Sequence, residues 1–242
     1  MKITAKTDIG LVRSTNEDTY TFIQKDEENF LAFVCDGMGG HLGGAFASSK
    51  ATEMINDAFN NFSNKKSNKS TGVWLFDTIT KINSFIYEQS LANDNLKGMG
   101  TTITGVIKLH NEIYYAHIGD SRIYIYNKDE LRQITTDHTY VNTLLLNGLI
   151  TYKQSLKHPK KHVLTNALGI KKSVSVDIGQ ITLKENDNLL ICSDGLHNLL
   201  DGKNLLKVLN KPLQIEEKVD YIIEKALDLG GHDNITLILL EH

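Results

Sequence analysis

The strongest pattern along the chain is an unbroken apolar run, Phe30-Leu31-Ala32-Phe33-Val34-Cys35, that stops on Asp36-Gly37-Met38-Gly39-Gly40. Six consecutive apolar residues bounded by turn formers predict a buried strand ending on a carboxylate. The acidic turn Lys25-Asp26-Glu27-Glu28-Asn29 separates this run from strand-like residues 19–24, so a hairpin with Asp36 at its far end is expected. Residues 2–7 alternate weakly and suit an earlier strand. After the glycines the period changes: Ala47, Ala51, Met54, Ile55, Ala58, Phe59 and Phe62 recur at helical spacing and predict an amphipathic helix over about 45–62. A polar linker, 63–70, leads to a second helix with Leu75, Ile79, Ile82 and Ile86 on one face.

From residue 101 the pattern is β again. Residues 101–109, 112–118 and 122–127 are short β-branched or aromatic runs with hairpin-length connections, which implies antiparallel pairing. Residues 138–147 read as a helix. The polar stretch 148–165, with Pro159 and several Lys and His residues, has no clear period, and such a stretch within a compact domain is often a functional flap. Strands are expected at 174–182 and 189–193, helices at 205–209 and 215–229, and a last strand at 235–240. Long helices flanked by strands favour helices packed on sheets over an all-β barrel.

At 242 residues one domain, 1–242, is expected, with the flap at about 144–166. A net charge of -3 with interspersed signs offers no basic patch for nucleic acid or an anionic membrane. Cys35 and Cys192 lie within apolar runs and read as buried thiols, without a disulfide framework. No window resembles a signal peptide or a membrane span, so a soluble, cytoplasmic monomer is expected.

Four acids, Asp36, Asp120, Asp194 and Asp233, stand at the ends of apolar runs or in loops entering them, three of them followed by Gly or a small residue. One such Asp is a turn former. Four suit a site on the shared rim of two sheets. Oxygen-only donors favour Mg²⁺ or Mn²⁺ over zinc, and two such ions ~3.5–4 Å apart can generate a hydroxide and clamp a phosphoryl group, the chemistry of a binuclear hydrolase. The segment 8–18 adds an Arg fork and carboxylates, Arg13, Glu17 and Asp18, that phosphate and a divalent metal require.

Arg13-Ser-Thr-Asn-Glu17-Asp18, Val34-Cys-Asp36-Gly37-Met-Gly-Gly-His41, Met99-Gly-Thr-Thr, Ile118-Gly-Asp120-Ser-Arg122, Cys192-Ser-Asp194-Gly195 and Gly230-Gly-His-Asp233-Asn234 together resemble, in order and nearly end to end, the motifs of the bacterial metal-dependent protein serine/threonine phosphatases of type 2C. The resemblance implies an α+β fold, a four-layer α-β-β-α sandwich with two central antiparallel sheets. It implies hydrolysis of phosphoserine and phosphothreonine by attack of a water or hydroxide bound to two Mn²⁺ or Mg²⁺ ions. In that scheme Asp36 bridges both ions, Asp194 and Asp233 complete the first ion's shell, Gly37 offers its carbonyl to the second, and Glu17 holds that ion's waters. Asp120 with Asp194 matches the site of a third, weaker metal. Arg13 matches the phosphate-binding arginine, and Asp18 an acid that orients the nucleophilic water. His41 is a candidate proton donor to the leaving alkoxide, with a metal-bound water as the alternative; His138, His162 and His232 read as structural or exposed. The implied partners are phosphorylated proteins, among them a cognate Ser/Thr kinase in bacterial signalling.

The chain departs from that pattern at Ala45, where relatives commonly carry a helix N-terminal Glu, and at Asn166, where they often carry Arg. Other phosphatase chemistry fails on spacing: a cysteine phosphatase needs Arg six residues after its thiolate, yet Cys35 is followed there by His41 and Cys192 by Asn198. The glycines at 37–44 lack nucleotide-loop spacing. Two rivals remain, a weakly active or inactive partner-binding module on the same fold, and a hydrolase of small phosphoesters.

Overall fold

Strand β3, Asn29–Met38, has apolar residues on both faces, and both are covered. Leu31, Phe33 and Cys35 face a helical layer, whereas Phe30, Ala32 and Val34 face a second sheet. Period-2 alternation with an apolar residue at every position is what a strand enclosed on both sides requires. The computed structural model describes residues 1–40, 42–62, 70–109 and 112–241; the expected linker at 63–70 therefore lies almost wholly outside the described residues, and so does His41.

The strands in chain order are β1 (Lys2–Asp8), β2 (Asp18–Gln24), β3, β4 (Gly100–Thr101), β5 (Ile103–Leu109), β6 (Glu112–Ile118), β7 (Arg122–Tyr126), β8 (Leu131–Gln133), β9 (Asp177–Ile181), β10 (Asn188–Cys192) and β11 (Ile235–Glu241). They form two antiparallel sheets, ordered β1-β11-β10-β7-β8 and β2-β3-β5-β6-β9, with β4 added to the end of β3. The helices are α1 (Gly43–Asn60), α2 (Thr71–Ala92), α3 (Tyr140–Leu146), α4 (Tyr152–Ser155), α5 (Asp194–His197), α6 (Gly202–Leu209) and α7 (Ile215–Asp228).

Three apolar layers hold the stack together. Ala47, Ala51, Ile55 and Phe59 of α1 and Leu75, Ile79, Ile82 and Ile86 of α2 cover the outer face of the β3 sheet. Leu205, Val208 and Leu209 of α6 and Val219, Ile222, Ile223 and Ala226 of α7 cover the other sheet on Tyr124, Leu190, Leu237 and Leu239. Between the sheets, Phe30, Ala32, Val34 and Val106 meet Ile123, Leu189, Ile191 and Ile238. The order is therefore α-β-β-α, the layering expected from sequence. Cys35 and Cys192 are buried free thiols within it. No helix among the described residues is long and apolar enough to cross a membrane.

Several local expectations shift. β3 runs on to Met38, so Asp36 lies inside the strand and not at its end; β4 supplies the extra pairing, Gly37 with Thr101 and Met38 with Gly100. Asp194 opens α5, a single helical turn too short to show a period. β8 and α4 are likewise too short to read from periodicity. α1 starts at Gly43 without a side-chain cap or an acid in its first turn, as the absent Glu at position 45 suggested. In the flap region α3 falls within the helix expected at 138–147, and α4 stands within the stretch expected to be irregular after residue 147.

Gly105 lies opposite Phe33 in the β3–β5 register, and a Cβ there would strike the Ala32 carbonyl and the Phe33 ring. Gly105→Ala is expected to destabilise the fold by roughly 1–3 kcal/mol through overpacking, read as a lower urea midpoint. Gly72→Ala in α2, where the added methyl would meet its nearest neighbour at an ordinary 3.6 Å, should not lower it.

Candidate metal centre

The carboxylates converge because of where the two sheets end. Asp36 near the end of β3, Asp120 in the turn after β6, Asp194 at the start of α5, Asp233 in the loop before β11 and Glu17 before β2 all line one cleft of about 720 Å³ at the sheet rim. The Gly37 backbone, Arg13 and Lys161 line it too. Each acid comes from a different segment, and each is braced by hydrogen bonds from its neighbours.

Asp36 is fixed through its backbone. Its N–H donates to the Thr102 hydroxyl at 2.9 Å, and its carbonyl accepts from the Thr102 N–H at 2.8 Å and the Thr101 hydroxyl at 3.0 Å. Thr102 shares a further hydrogen bond with Ser121, which ties β3 to the turn bearing Asp120. Glu17 is held at its backbone by three groups: its N–H donates to Asn234 Oδ1 at 2.9 Å, and its carbonyl accepts from Ser48 Oγ at 2.6 Å and Gly37 N–H at 3.1 Å. A Cβ on Gly44 would collide with the Glu17 carboxylate, so the second glycine of α1 must lack a side chain.

Asn234 is the residue with most connections in the loop before β11. Besides its contact with Glu17, its amide donates to the carbonyls of Ile9 and Thr15, and its own N–H donates to Asp233 Oδ1. Sequence reasoning gave Asn234 no role of its own, although it directly follows Asp233. Thr102 and Ser193 were missed similarly, since a hydroxyl has no periodic signature.

Arg13 and Asp18 stand differently from one another. Arg13 reaches into the cleft and donates through Nη2 to Asp233 Oδ2 at 2.8 Å, while remaining more than half exposed. Asp18 does not line the cleft: it lies behind the wall, 7 % exposed, its carboxylate accepting from Ser193 Oγ at 2.7 Å. Burial, with further contributions from Asp194 and Asp233, pushes Asp18 up to about 7. Of the histidines, His162 and His232 line the cleft and His162 comes within 3.9 Å of Asp194, an ion-pair reach too long for a hydrogen bond. His138 is structural, accepting from Gly119 N–H and donating to Asp177, which secures the turn before Asp120.

Burial raises the Asp36 carboxyl well above its ordinary value, and Asp18, Asp194, Asp120 and Asp233 each add to that rise. Asp120 is raised by burial and then by Asp194 and Asp137, against Arg122. Asp194 goes the other way: burial works against ionisation, but His162, His197 and Asn198 outweigh it and hold the carboxyl low. His197 itself is pushed down to about 4, mainly by burial, so its neutral ring donates from Nε2 to the Asp120 carbonyl.

Mutually repelling, desolvated carboxylates with few cations among them suit a bound cation, and an all-oxygen donor set suits a hard divalent ion. Among the described residues no three acidic, imidazole or thiol side chains form a closed ligand cage, so the fit lies in the donor chemistry.

An acid-lined cleft at the rim of an α-β-β-α sandwich defines a class of hydrolase that works with hard cations. The protein phosphatase 2C profile matches residues 12–228, and the chain belongs to that family. The serine/threonine phosphatase Stp of Listeria innocua is 36% identical over 236 residues, covering 98% of this chain and 94% of that protein. The crystal structure of serine/threonine phosphatase Stp1 from Staphylococcus aureus superimposes with a TM-score of 0.93 at 34% identity, covering 100% of this chain and 94% of that one. The catalytic domain of the serine/threonine phosphatase PstP, solved in complex with two manganese ions, gives a TM-score of 0.83 at 31% identity, covering 99% and 97%.

The position of Asp18 sets a pH dependence. Its carboxyl is raised from 3.8 to about 7 in the folded chain, so the native state binds the extra proton and stability falls as pH rises through that interval. In chelator, Asp18→Asn is therefore expected to gain stability relative to the parent between about pH 4 and about pH 7. Thermal midpoints of both proteins across that range check it, and a constant difference would refute the assignment.

Proposed function

We propose that the chain is a metal-dependent phosphatase acting on phosphoserine and phosphothreonine in proteins, with residues 1–242 forming one catalytic domain. The observation that carries this is the gathering of Asp36, Asp120, Asp194, Asp233 and Glu17 in one cleft with Arg13. Asp36, Asp194 and Asp233 with Glu17 and the Gly37 carbonyl would hold two Mn²⁺ or Mg²⁺ ions, and Asp120 with Asp194 a third. When bound, such ions supply positive charge against the phosphoryl oxygens and lower the pKa of coordinated water.

The protein's own groups do the remaining work. Arg13 exchanges part of its contact with Asp233 for the phosphoryl oxygens and orients them through its planar fork. Asp18, behind the wall and tied to Ser193, acts by positioning: held beside the acids that face the cleft, it orients the attacking water through them. Asn234 keeps Glu17, Asp233 and the loop carrying Arg13 in register. The cleft is open enough to admit a phosphorylated side chain on a polypeptide, in keeping with phosphoprotein substrates and, among them, a Ser/Thr kinase. Cytoplasmic, monomeric action fits this assignment. His41 stays a candidate proton donor on sequence grounds alone, being outside the described residues.

Turnover of an aryl phosphate and of a phosphothreonine peptide should require Mn²⁺ or Mg²⁺ and vanish in chelator. Asp36→Asn should lower that turnover by on the order of a hundredfold or more while circular dichroism shows a folded protein; undiminished turnover would remove Asp36 from the metal site. Arg13→Ala should act mainly on KM, raising it about tenfold, the worth of one charge-assisted contact. A loss confined to kcat would contradict the phosphate-clamp role.

A further inference from the structure

The single-turn helix α5 begins on Asp194 and ends on His197, so these two side chains stand three residues apart on one face of the turn. That face meets the turn after β6. The His197 ring donates from Nε2 to the backbone carbonyl of Asp120 at 3.0 Å, and the Asp194 carboxylate lines the metal cleft together with Asp120. One helical turn therefore delivers one acid and grips the backbone of another. The second ring nitrogen, Nδ1, is buried without a hydrogen-bond partner among the described residues, so the contact with Asp120 is the polar anchor of this ring.

The sheet leaves the separation of these two acids open. The antiparallel β7–β10 ladder ends at the Arg122–Cys192 pair, two residues short of Asp120 on one strand and of Asp194 on the other. The acids stand where the next pairs of that ladder would fall, and the His197 bond takes the ladder's place there. A tie is needed because like charges repel: of the charges around Asp120, Asp194 acts on it most strongly. Each acid is also anchored on its far side. Gly119 donates its N–H to His138 Nδ1 at 3.1 Å and accepts the His138 N–H at 2.7 Å, and the Ser121 hydroxyl shares a hydrogen bond with Thr102 at 2.8 Å. On the other side α5 sits so close to the loop before β11 that a Cβ on Gly195 would strike the Asn234 carbonyl, and the Ser193 N–H donates to the Thr236 carbonyl at 3.0 Å. Those contacts set Asp194 against Asp233 without help from His197. Its relation to Asp120 runs through the imidazole.

We propose that His197 is a positioning residue for the weaker cation site: it holds Asp120 at the separation from Asp194 that a shared divalent ion requires, and so sets the affinity of that site. This rests on the assignment of Asp120 with Asp194 to a third ion, and it names the group in this chain that tunes it. Without the tie the two carboxylates relax apart, and an entering ion must draw them together before it gains both contacts. With the tie that separation is set in advance. Groups that orient ligands without touching the metal commonly change affinity by about 10–100-fold. Nε2 carries a proton both in the tautomer that faces a carbonyl and in the imidazolium, so the effect does not turn on the charge of the ring.

The test counts cations. Mn²⁺ titrated into the parent protein, with free Mn²⁺ followed by electron paramagnetic resonance, should fill two tighter sites and one weaker site, and Asp120→Asn should remove the weaker one. His197→Phe keeps a ring of similar bulk and removes the donor. It should weaken the third site by about tenfold and leave the two tighter sites and the circular dichroism unchanged. His197→Gln, whose amide N–H has a reach close to that of Nε2, should restore most of the lost affinity. In the parent protein, with Mg²⁺ in place of Mn²⁺, the Nε2–H proton resonance of His197 should move chiefly at the concentrations that fill the weaker site, a reading that needs no variant and decides the matter if the substituted chains fail to fold. An unchanged third site in His197→Phe, equal weakening of all three sites, identical behaviour of the Phe and Gln variants, or an Nε2–H resonance indifferent to the weaker site would each overturn the proposal. A weaker site that survives Asp120→Asn would refute the third-ion assignment itself and the proposal with it. That result is distinct from a site lost in Asp120→Asn yet untouched in His197→Phe, which removes the role of His197 alone.

Discussion

β3 is closed in on both faces, by α1 and α2 on one side and by the second sheet on the other, and the rest of the molecule depends on that enclosure. A strand with no solvent side cannot slip by one residue without exchanging its two sets of contacts, so its register against β2 and β5 is strongly specified. Asp36 inherits that precision. The carboxylate leaves a strand whose preceding six residues are fully buried, opposite Asp18 in the ladder, and its backbone is held on the other side by Thr101 and Thr102.

The cost of this placement is electrostatic. Asp36, Asp120 and Asp18 are all raised by burial first and by neighbouring acids second; the Ser193 hydroxyl offsets this at Asp18 and the Arg122 charge at Asp120. Such a site is poor as a source of stability and well arranged for function, because the positive charge it lacks is the charge a divalent ion would bring. Neutral groups do the bracing. Asn234 ties the N-terminal stretch bearing Ile9, Thr15 and Glu17 to the distant loop before β11, and Ser193 joins Asp18 to the β10–β11 pair by also accepting the Thr236 N–H.

The flap adds the opposite charge. Lys161 lines the metal cleft and the cleft beside it, where Tyr152 and Leu156 of the flap share the lining with Leu199, Leu200, Asp137, Arg122 and Asp201.

The layers were legible from the chain alone. Continuous apolar runs such as 30–35 and the helical spacing of Ala47, Ala51, Ile55 and Phe59 state which residues must be buried, and burial on two faces calls for helices outside paired sheets. The acids Asp36, Asp120, Asp194 and Asp233 were also legible, since each stands just after an apolar run or in the loop entering one. What the chain could not state was anything held by non-periodic contacts. The extension of β3 to Met38 needs β4, sixty residues away; the hub at Asn234 and the retreat of Asp18 behind the cleft wall need partners brought in from other strands. The lysine bias of residues 138–176 is written in the sequence, yet only the tertiary structure brings Lys161 to the rim of the acid-lined cleft, because local pattern fixes which face is buried and folding alone fixes which surfaces meet.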